Sequence, residues 1–372
     1  MPLALPLEKY SLSDKQAVIN FGIKSGLKLI FFTGASGGHI MPALALRRKF
    51  PDASIIAVKT PASVDTLENA ENVHYISPIS FKKFRFGALR EMFSLFVFAC
   101  RLSPDKIVCF GSYLNFLGLL CARLSRCELV FFEPNASAGK GSLMLKRFAD
   151  RIFTVFPSAA KELNGCARAV KFPVISAMRS KEKILQEVGF DFDKPVLLVI
   201  GGSQGSRFIN AVVTAVIDKL SFAQIVHITG PKDFEKIQNQ YQRHRGKHIV
   251  LPFCSTMPIF YSIASAAISR AGAGTLAELS YYKIPSVLIP YPGAGGHQKF
   301  NASQFASSAA AVVIKEEDIN KENFPAVIEN VLFRDFWKIR ENVAKIEIAD
   351  DGTDFAEKLS EVRHGHARGI SA

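Results

Sequence analysis

No stretch of this 372-residue chain reaches the ~18 apolar residues that a membrane-spanning helix needs. Near its start, Glu8, Lys9, Asp14 and Lys15 interrupt the apolar residues. The continuous segment of a secretory signal is therefore missing, and residues 1–26 read as an extension before the first strand. Low-complexity tracts are absent, and 48% hydrophobic content over this length suffices for the cores of two or three domains. The cysteines, Cys100, Cys109, Cys121, Cys127, Cys166 and Cys254, lack the paired two-residue spacing of a zinc site. They read as reduced core residues of a cytosolic protein. Acidic charge is scarce: 33 Asp and Glu against 46 Lys and Arg leave a net charge of +13. That balance calls for an anionic partner, namely nucleic acid, a nucleotide diphosphate or an acidic membrane face. No recognisable nucleic-acid module accompanies the charge, which disfavours the first of these.

What is present is β/α alternation. Strand-like runs at 28–32, 54–58, 106–110, 128–132 and 151–156 alternate with helix-like stretches such as 42–50 and 90–102. The rhythm restarts with runs at 196–200, 224–228, 249–252, 267–269, 286–289 and 311–314, separated by helices over 207–220 and 275–282. Short, near-continuous apolar strands of this kind belong to parallel sheets covered on both faces. Phe333–Ile346 reads as an amphipathic helix with Phe336 and Trp337 on its apolar side.

Two glycine-rich loops follow the first strand of each set. Thr33-Gly34-Ala35-Ser36-Gly37-Gly38-His39 runs into a helix containing Pro42, and Gly201-Gly202-Ser203-Gln204-Gly205 follows the strand at 196–200. At domain-length spacing they imply two similar domains facing one cleft, an arrangement suited to joining two phosphate-bearing substrates. Exposed amides at a helix N-terminus attract phosphate. Neither the Gly-Lys-Ser/Thr ending of a nucleoside-triphosphate loop nor the dinucleotide spacing is present in the first loop. His39 admits two readings, a capping or core histidine and a general base, since an ordinary imidazole titrates near neutrality.

A third constellation is Arg270-Ala271-Gly272-Ala273-Gly274-Thr275-Leu276-Ala277-Glu278. Its amides suit a diphosphate and Glu278 suits two ribose hydroxyls, while Thr275 and Glu278 also stand at capping-box spacing. Gly295-Gly296-His297-Gln298-Lys299-Phe300-Asn301 falls on the same expected rim and carries side chains able to read sugar hydroxyls. Asp191-Phe192-Asp193 looks like a metal-holding acid pair, but its place just before Lys194-Pro195 favours a solvated turn. Phe81, Phe84, Phe86 and Phe93, interspersed with Lys82, Lys83, Arg85 and Arg90, fit either a buried helix or shallow insertion at an anionic bilayer surface.

Taken in order, TGASGGHIMPALAL (33–46), FFEPNASAGKGS (131–142), IGGSQGSRFIN (200–210), RAGAGTLAE (270–278) and HQKFNA (297–302) closely resemble the MurG family of peptidoglycan N-acetylglucosaminyltransferases. The resemblance extends from about residue 27 to about 345. It implies an α/β chain of the GT-B class, two Rossmann-like β/α/β domains facing an interdomain cleft. The implied limits are 27–172 for an acceptor and membrane-associating domain, 173–335 for a UDP-sugar domain, and 336–372 for C-terminal helices that pack back on the first. The implied reaction moves N-acetylglucosamine from UDP-N-acetylglucosamine to undecaprenyl-diphospho-muramoyl-pentapeptide at the cytoplasmic face of the bacterial inner membrane, without a tightly held metal or other cofactor. A transferase acting on another lipid or polysaccharide, or a degenerate sugar-nucleotide-binding regulator, would share these motifs.

Carried over motif by motif, the resemblance implies that Ser36, Gly37, Gly38, Asn135, Ser203, Cys254, Ala273 to Glu278, Gln298 and Asn301 serve the donor. It implies that Gly37, Gly38, His39 and Tyr113 serve the acceptor, with His39 as base, and that Phe81, Phe84, Phe86 and Phe93 meet the membrane. The chain departs from the family pattern at Phe172-Pro173-Val174-Ile175, where Asn-Pro-Val-Arg is usual, leaving Arg179 or Arg207 to replace the missing cation. Phe132 and Pro134 stand for the usual His and Gln around Glu133, and Gly274 for a larger apolar residue.

Overall fold

A computed structural model describes residues 26–361, apart from 69, 79–85, 112, 166 and 178. Strands β1 (Leu29–Thr33), β2 (Ser54–Val58), β3 (Val73–Ile76), β4 (Lys106–Cys109), β5 (Glu128–Glu133), β6 (Arg151–Thr154) and β7 (Ala167–Ala169) form a parallel sheet in the order β3-β2-β1-β4-β5-β6-β7. After β8 (Phe172–Pro173), strands β9 (Val196–Ile200), β10 (Gln224–Ile228), β11 (His248–Leu251), β12 (Ala266–Ser269), β13 (Ser286–Leu288) and β14 (Val312–Val313) form a second, ordered β11-β10-β9-β12-β13-β14. The strand runs expected from sequence appear in both sheets with small shifts of boundary. Edge strands β3 and β7 were not expected. Their residues are mostly half-buried or exposed, so they lack the continuous apolar run that marks the central strands.

Pleating explains why those runs are apolar throughout. In β1, Leu29 and Phe31 enter a core on one face, while Ile30 and Phe32 enter another on the opposite face. The second sheet has its own core. Helix Phe336–Ala344 joins that core through Ile339 and Val343, one turn apart. Trp337, expected on the apolar side, is 76% exposed.

The chain returns to the first half only at its end. Strand β15 (Ala349–Asp350) pairs with β8, and helix Thr353–Ser360 lays Phe355 against Phe132 and Phe153, with ring centroids 5.0 and 5.1 Å away. Of the cysteines, Cys109 and Cys121 are buried as expected, whereas Cys100 is exposed on helix Phe86–Leu102. Cys166 lies outside the described residues.

Candidate active site

Strand order reverses between β1 and β4 in the first sheet, and between β9 and β12 in the second. Where the order reverses, neighbouring loops diverge and open a crevice beyond the carboxyl ends of the strands. Most residues singled out from sequence sit on the loops at these two points.

In the first crevice, helix Gly37–Arg47 begins after Ser36, whose side chain makes no capping bond. His39 N and Ile40 N reach back to Ser36 O at 2.9 and 3.1 Å, leaving the Gly37 and Gly38 amides without a helical acceptor. Unsatisfied amides on small residues make this end receptive to an anion. The His39 Nδ1 lies 3.4 Å from Ser36 Oγ, and its Nε2 faces Gly111 in the loop after β4. Gly111 has φ 98°, and a Cβ added there would stand 3.2 Å from Nε2, so the close approach of the imidazole requires glycine. Tyr113 follows, at the start of helix Leu114–Ser125. Desolvation pushes the His39 imidazole down to about 4. That is below the near-neutral titration of an ordinary imidazole expected from sequence, so unliganded His39 is uncharged at pH 7.

The second crevice has one braced loop and one open loop. Gly205, with φ 76°, is pressed on its neighbours so closely that an added Cβ would stand 2.0 Å from Thr229 O. Helix Arg207–Ala215 then starts with its own cap, Ser206 Oγ accepting from Ile209 N at 3.3 Å. Ser203 nevertheless reaches the first loop, its Cβ 3.3 Å from a Cβ built on Gly37. The loop after β12 differs, because helix Ala273–Tyr281 begins at Gly272, which has no side chain to cap with. Thr275 is already the third helical residue, so the capping box to Glu278 does not form. The first amides, from Ala273 to Thr275, remain open. Gly274 meets Gly38 across the seam: a Cβ built on it would lie 3.8 Å from Gly38 Cα and 3.5 Å from Phe172 Cζ. Two uncapped helix starts therefore converge.

Leu276 and Ala277 are fully buried, and Leu276 N is bonded to Gly272 O, so these two support the turn and do not line it. Glu278 is partly buried, and its Oε2 accepts a 2.7 Å bond from Tyr261 Oη. Burial raises the carboxyl to about 7 against that bond. Cys254, in the loop after β11, is half-buried with Sγ 3.5 Å from Thr256 Oγ1. Gln298 Oε1 accepts from Ala271 N at 3.2 Å and Tyr291 N at 2.9 Å, so its amide group is the part that remains for a ligand.

Asn135 and Asn301, both expected on the donor sugar, clasp the halves together in the unliganded chain. Asn301, 1% exposed, accepts from Ala136 N at 2.8 Å and donates to Asn135 Oδ1 at 3.2 Å and Ala271 O at 3.1 Å. Glu133 was passed over in the sequence, although a lone acid ending an apolar strand was its signal. It is buried and accepts from Asn135 Nδ2 at 3.1 Å, and from Gly139 N and Ser142 Oγ, both at 2.8 Å. Tyr261 carried no comparable signal.

Ile175, at the expected arginine position, is 7% exposed. Arg179 pairs with Glu187 at 2.9 Å, and Arg207 lies 3.9 Å from Asp233 along a groove of about 470 Å³ between helices Arg207–Ala215 and Phe234–Tyr241. Asp191 is paired with Lys247 and Lys194. Among the described residues no group of three or more His, Cys, Asp or Glu is placed to hold a metal. Phe81 and Phe84 lie outside the described residues, as does the side chain of Phe86, whereas Phe93 is 70% exposed.

Comparison with known proteins agrees with this geometry. Residues 29–154 match the glycosyltransferase family 28 N-terminal domain, and residues 196–349 the glycosyltransferase family 28 C-terminal domain. A Chlamydia trachomatis serovar D relative is 30% identical over 82% of this chain and 92% of its own length. One from Carboxydothermus hydrogenoformans is 29% identical over 86% and 93%. Both are named UDP-N-acetylglucosamine--N-acetylmuramyl-(pentapeptide) pyrophosphoryl-undecaprenol N-acetylglucosamine transferase. The crystal structure of Acinetobacter baumannii MurG superposes with TM-score 0.66 at 23% identity, covering 90% of this chain and 99% of that one. A UDP-glucose: anthocyanidin 3-O-glucosyltransferase solved with UDP gives 0.65 at 15%, covering 90% and 97%. The shared architecture is GT-B. With both domain models matched in order and relatives aligned over nine-tenths of their length, the chain belongs to glycosyltransferase family 28 and, within it, to the MurG family.

Proposed function

We propose that this protein transfers N-acetylglucosamine from UDP-N-acetylglucosamine to the 4-hydroxyl of undecaprenyl-diphospho-muramoyl-pentapeptide. The observation that carries the reading is the meeting of two uncapped helix starts at Gly38 and Gly274, with His39 beside them. One start receives the acceptor diphosphate and the other the nucleotide diphosphate. The names of the relatives supply the two substrates.

In this mechanism the acceptor oxygen attacks the anomeric carbon from the face opposite the diphosphate. The new β-1,4 C–O bond forms as the bond to the diphosphate oxygen breaks, with inversion. His39 Nε2 takes the hydroxyl proton, and the acceptor's anionic diphosphate makes it a stronger base than in the unliganded protein. Charge on departing UDP falls on the amides of Ala273, Gly274 and Thr275, in keeping with a buried Ile175 where the family carries a cation. Glu278 takes the ribose hydroxyls and Cys254 flanks the uracil. Gln298 reads the sugar through its amide, and Asn135 and Asn301 do so once their mutual clasp opens.

The acceptor half, 27–172, also rests on the membrane in this reading, with 173–335 as donor half and 336–372 as the C-terminal segment. Helices Phe86–Leu102, Leu114–Ser125 and Lys140–Leu145 expose Phe93 (70%), Phe116 (48%) and Met144 (75%), and the same stretch of chain exposes the bases Arg90, Arg123, Lys140 and Arg147. Apolar tips among cations fit the cytoplasmic face of an anionic bilayer. No helix among the described residues is long and apolar enough to cross it.

The test is incubation of purified protein with radiolabelled UDP-N-acetylglucosamine and the muramoyl lipid. Label in a disaccharide lipid is expected. Transfer only to another acceptor, or donor binding without product, defeats the assignment.

A further inference from the structure

The donor crevice contains a stacked tyrosine pair that neither the motifs nor the reaction accounts for. Tyr261, on helix Met257–Ile263, is 2% exposed and donates its hydroxyl proton to Glu278 Oε2 at 2.7 Å. Among the described residues nothing else hydrogen-bonds the Glu278 carboxylate, so one oxygen is held and Oε1 is left to a ligand. The Tyr261 ring stacks on Tyr282, centroids 5.7 Å apart at 18°. Tyr282 Oη in turn accepts from Ala177 N at 2.9 Å and donates to Ile175 O at 3.3 Å, in the segment that joins the two halves.

A glutamate has three side-chain torsions, and an acid that grips two vicinal hydroxyls must keep its carboxylate plane oriented toward them. Helix geometry fixes only where the side chain of Glu278 starts. Its far end is fixed by Tyr261, whose own position is set by the Tyr282 stack and thereby by the linker. We propose that Tyr261 is a positioning residue for nucleotide recognition, holding Glu278 Oε2 so that Oε1 meets the ribose hydroxyls. This rests on the reading that Glu278 takes the ribose. It makes a phenol on one helix responsible for the affinity of a carboxylate on another, and it places the ribose grip in mechanical contact with the linker.

The test compares UDP with 2′,3′-dideoxy-UDP by calorimetry, in wild-type protein, Tyr261→Phe, Glu278→Gln and the double variant. Wild type is expected to bind UDP roughly tenfold more tightly than the dideoxy nucleotide, the preference given by one well-made bond to a charged group. In Tyr261→Phe that preference is expected to fall to about twofold, with dideoxy-UDP affinity unchanged and the double variant no weaker than Glu278→Gln alone. A merely structural tyrosine would weaken both nucleotides alike and leave their ratio intact, which overturns the proposal. So does a Tyr261→Phe protein that keeps the wild-type ratio. Wild-type protein indifferent to the ribose hydroxyls defeats the Glu278 assignment itself, and the positioning role with it.

Discussion

Helices Gly37–Arg47 and Arg207–Ala215 both follow a glycine-rich loop at the end of the first strand of a parallel sheet, yet they begin differently. The second is closed by Ser206 and wedged against Thr229 and Gly230, while the first has no side-chain cap. The open counterpart of the first is helix Ala273–Tyr281, one strand over, which starts from a glycine. A glycine-rich turn therefore says that backbones come close. Whether they come close to a ligand or to each other is decided by what fills the orphan amides. The braced loop shapes the crevice, and the two open ones present donors to it.

The sharpest way to test this division is at the histidine beside the open end. His39→Ala is expected to lower kcat by ~10²–10⁴-fold with UDP affinity unchanged, as removal of a general base does. Turnover within twofold of wild type would take His39 out of the chemistry. Next in size, Gly205→Ala is expected to cost about 3 kcal/mol in denaturant unfolding, because the new Cβ meets Thr229 O in a left-handed backbone. Gly274→Ala, whose Cβ meets only ordinary contacts, is expected to be stable and to lose turnover instead. Equal losses of stability at the two glycines would erase the distinction.

Glu278 gives a pH test of the open end. Its carboxyl is raised from 4.5 to about 7 by burial, so the folded protein holds that proton more tightly than the unfolded chain. Its contribution to stability is full below about 4.5 and is lost as pH rises through about 7. UDP affinity, which needs the carboxylate, is expected to climb over the same range. Titration calorimetry from pH 5.5 to 8.5 (on the order of 1.5 units either side of 7) checks this, and Glu278→Gln should flatten the curve. The smallest effect separates the caps: Ser206→Ala is expected to cost about 1 kcal/mol and Ser36→Ala less than about 0.5 kcal/mol, read from urea midpoints. A larger loss at Ser36 would show that its helix start is capped after all.

Much of this architecture was legible because central parallel strands are buried on both faces and leave unbroken apolar runs, as at Val196–Ile200. The loops were legible for a related reason, since close backbone approach leaves glycines. What escaped was anything set by partners distant in sequence. The β8–β15 pair is too short to show a period, and the Asn135–Asn301 clasp joins residues 166 apart. Trp337 looked apolar, but Ile339 and Val343 alone form the buried stripe. The lowered titration of His39 could not be read from sequence, because desolvation comes from the fold around it and not from its neighbours in the chain.

Phe355 has a consequence for synthesis on the ribosome. It is fully buried between Phe110, Phe132 and Phe153, so the first half has a gap in its interior until the last helix emerges. Once β7 has been made, translation must run for roughly 10 to 40 s at ordinary elongation rates before that plug is available. The amino-terminal half thus matures last, after the half that is translated behind it has already had the chance to fold.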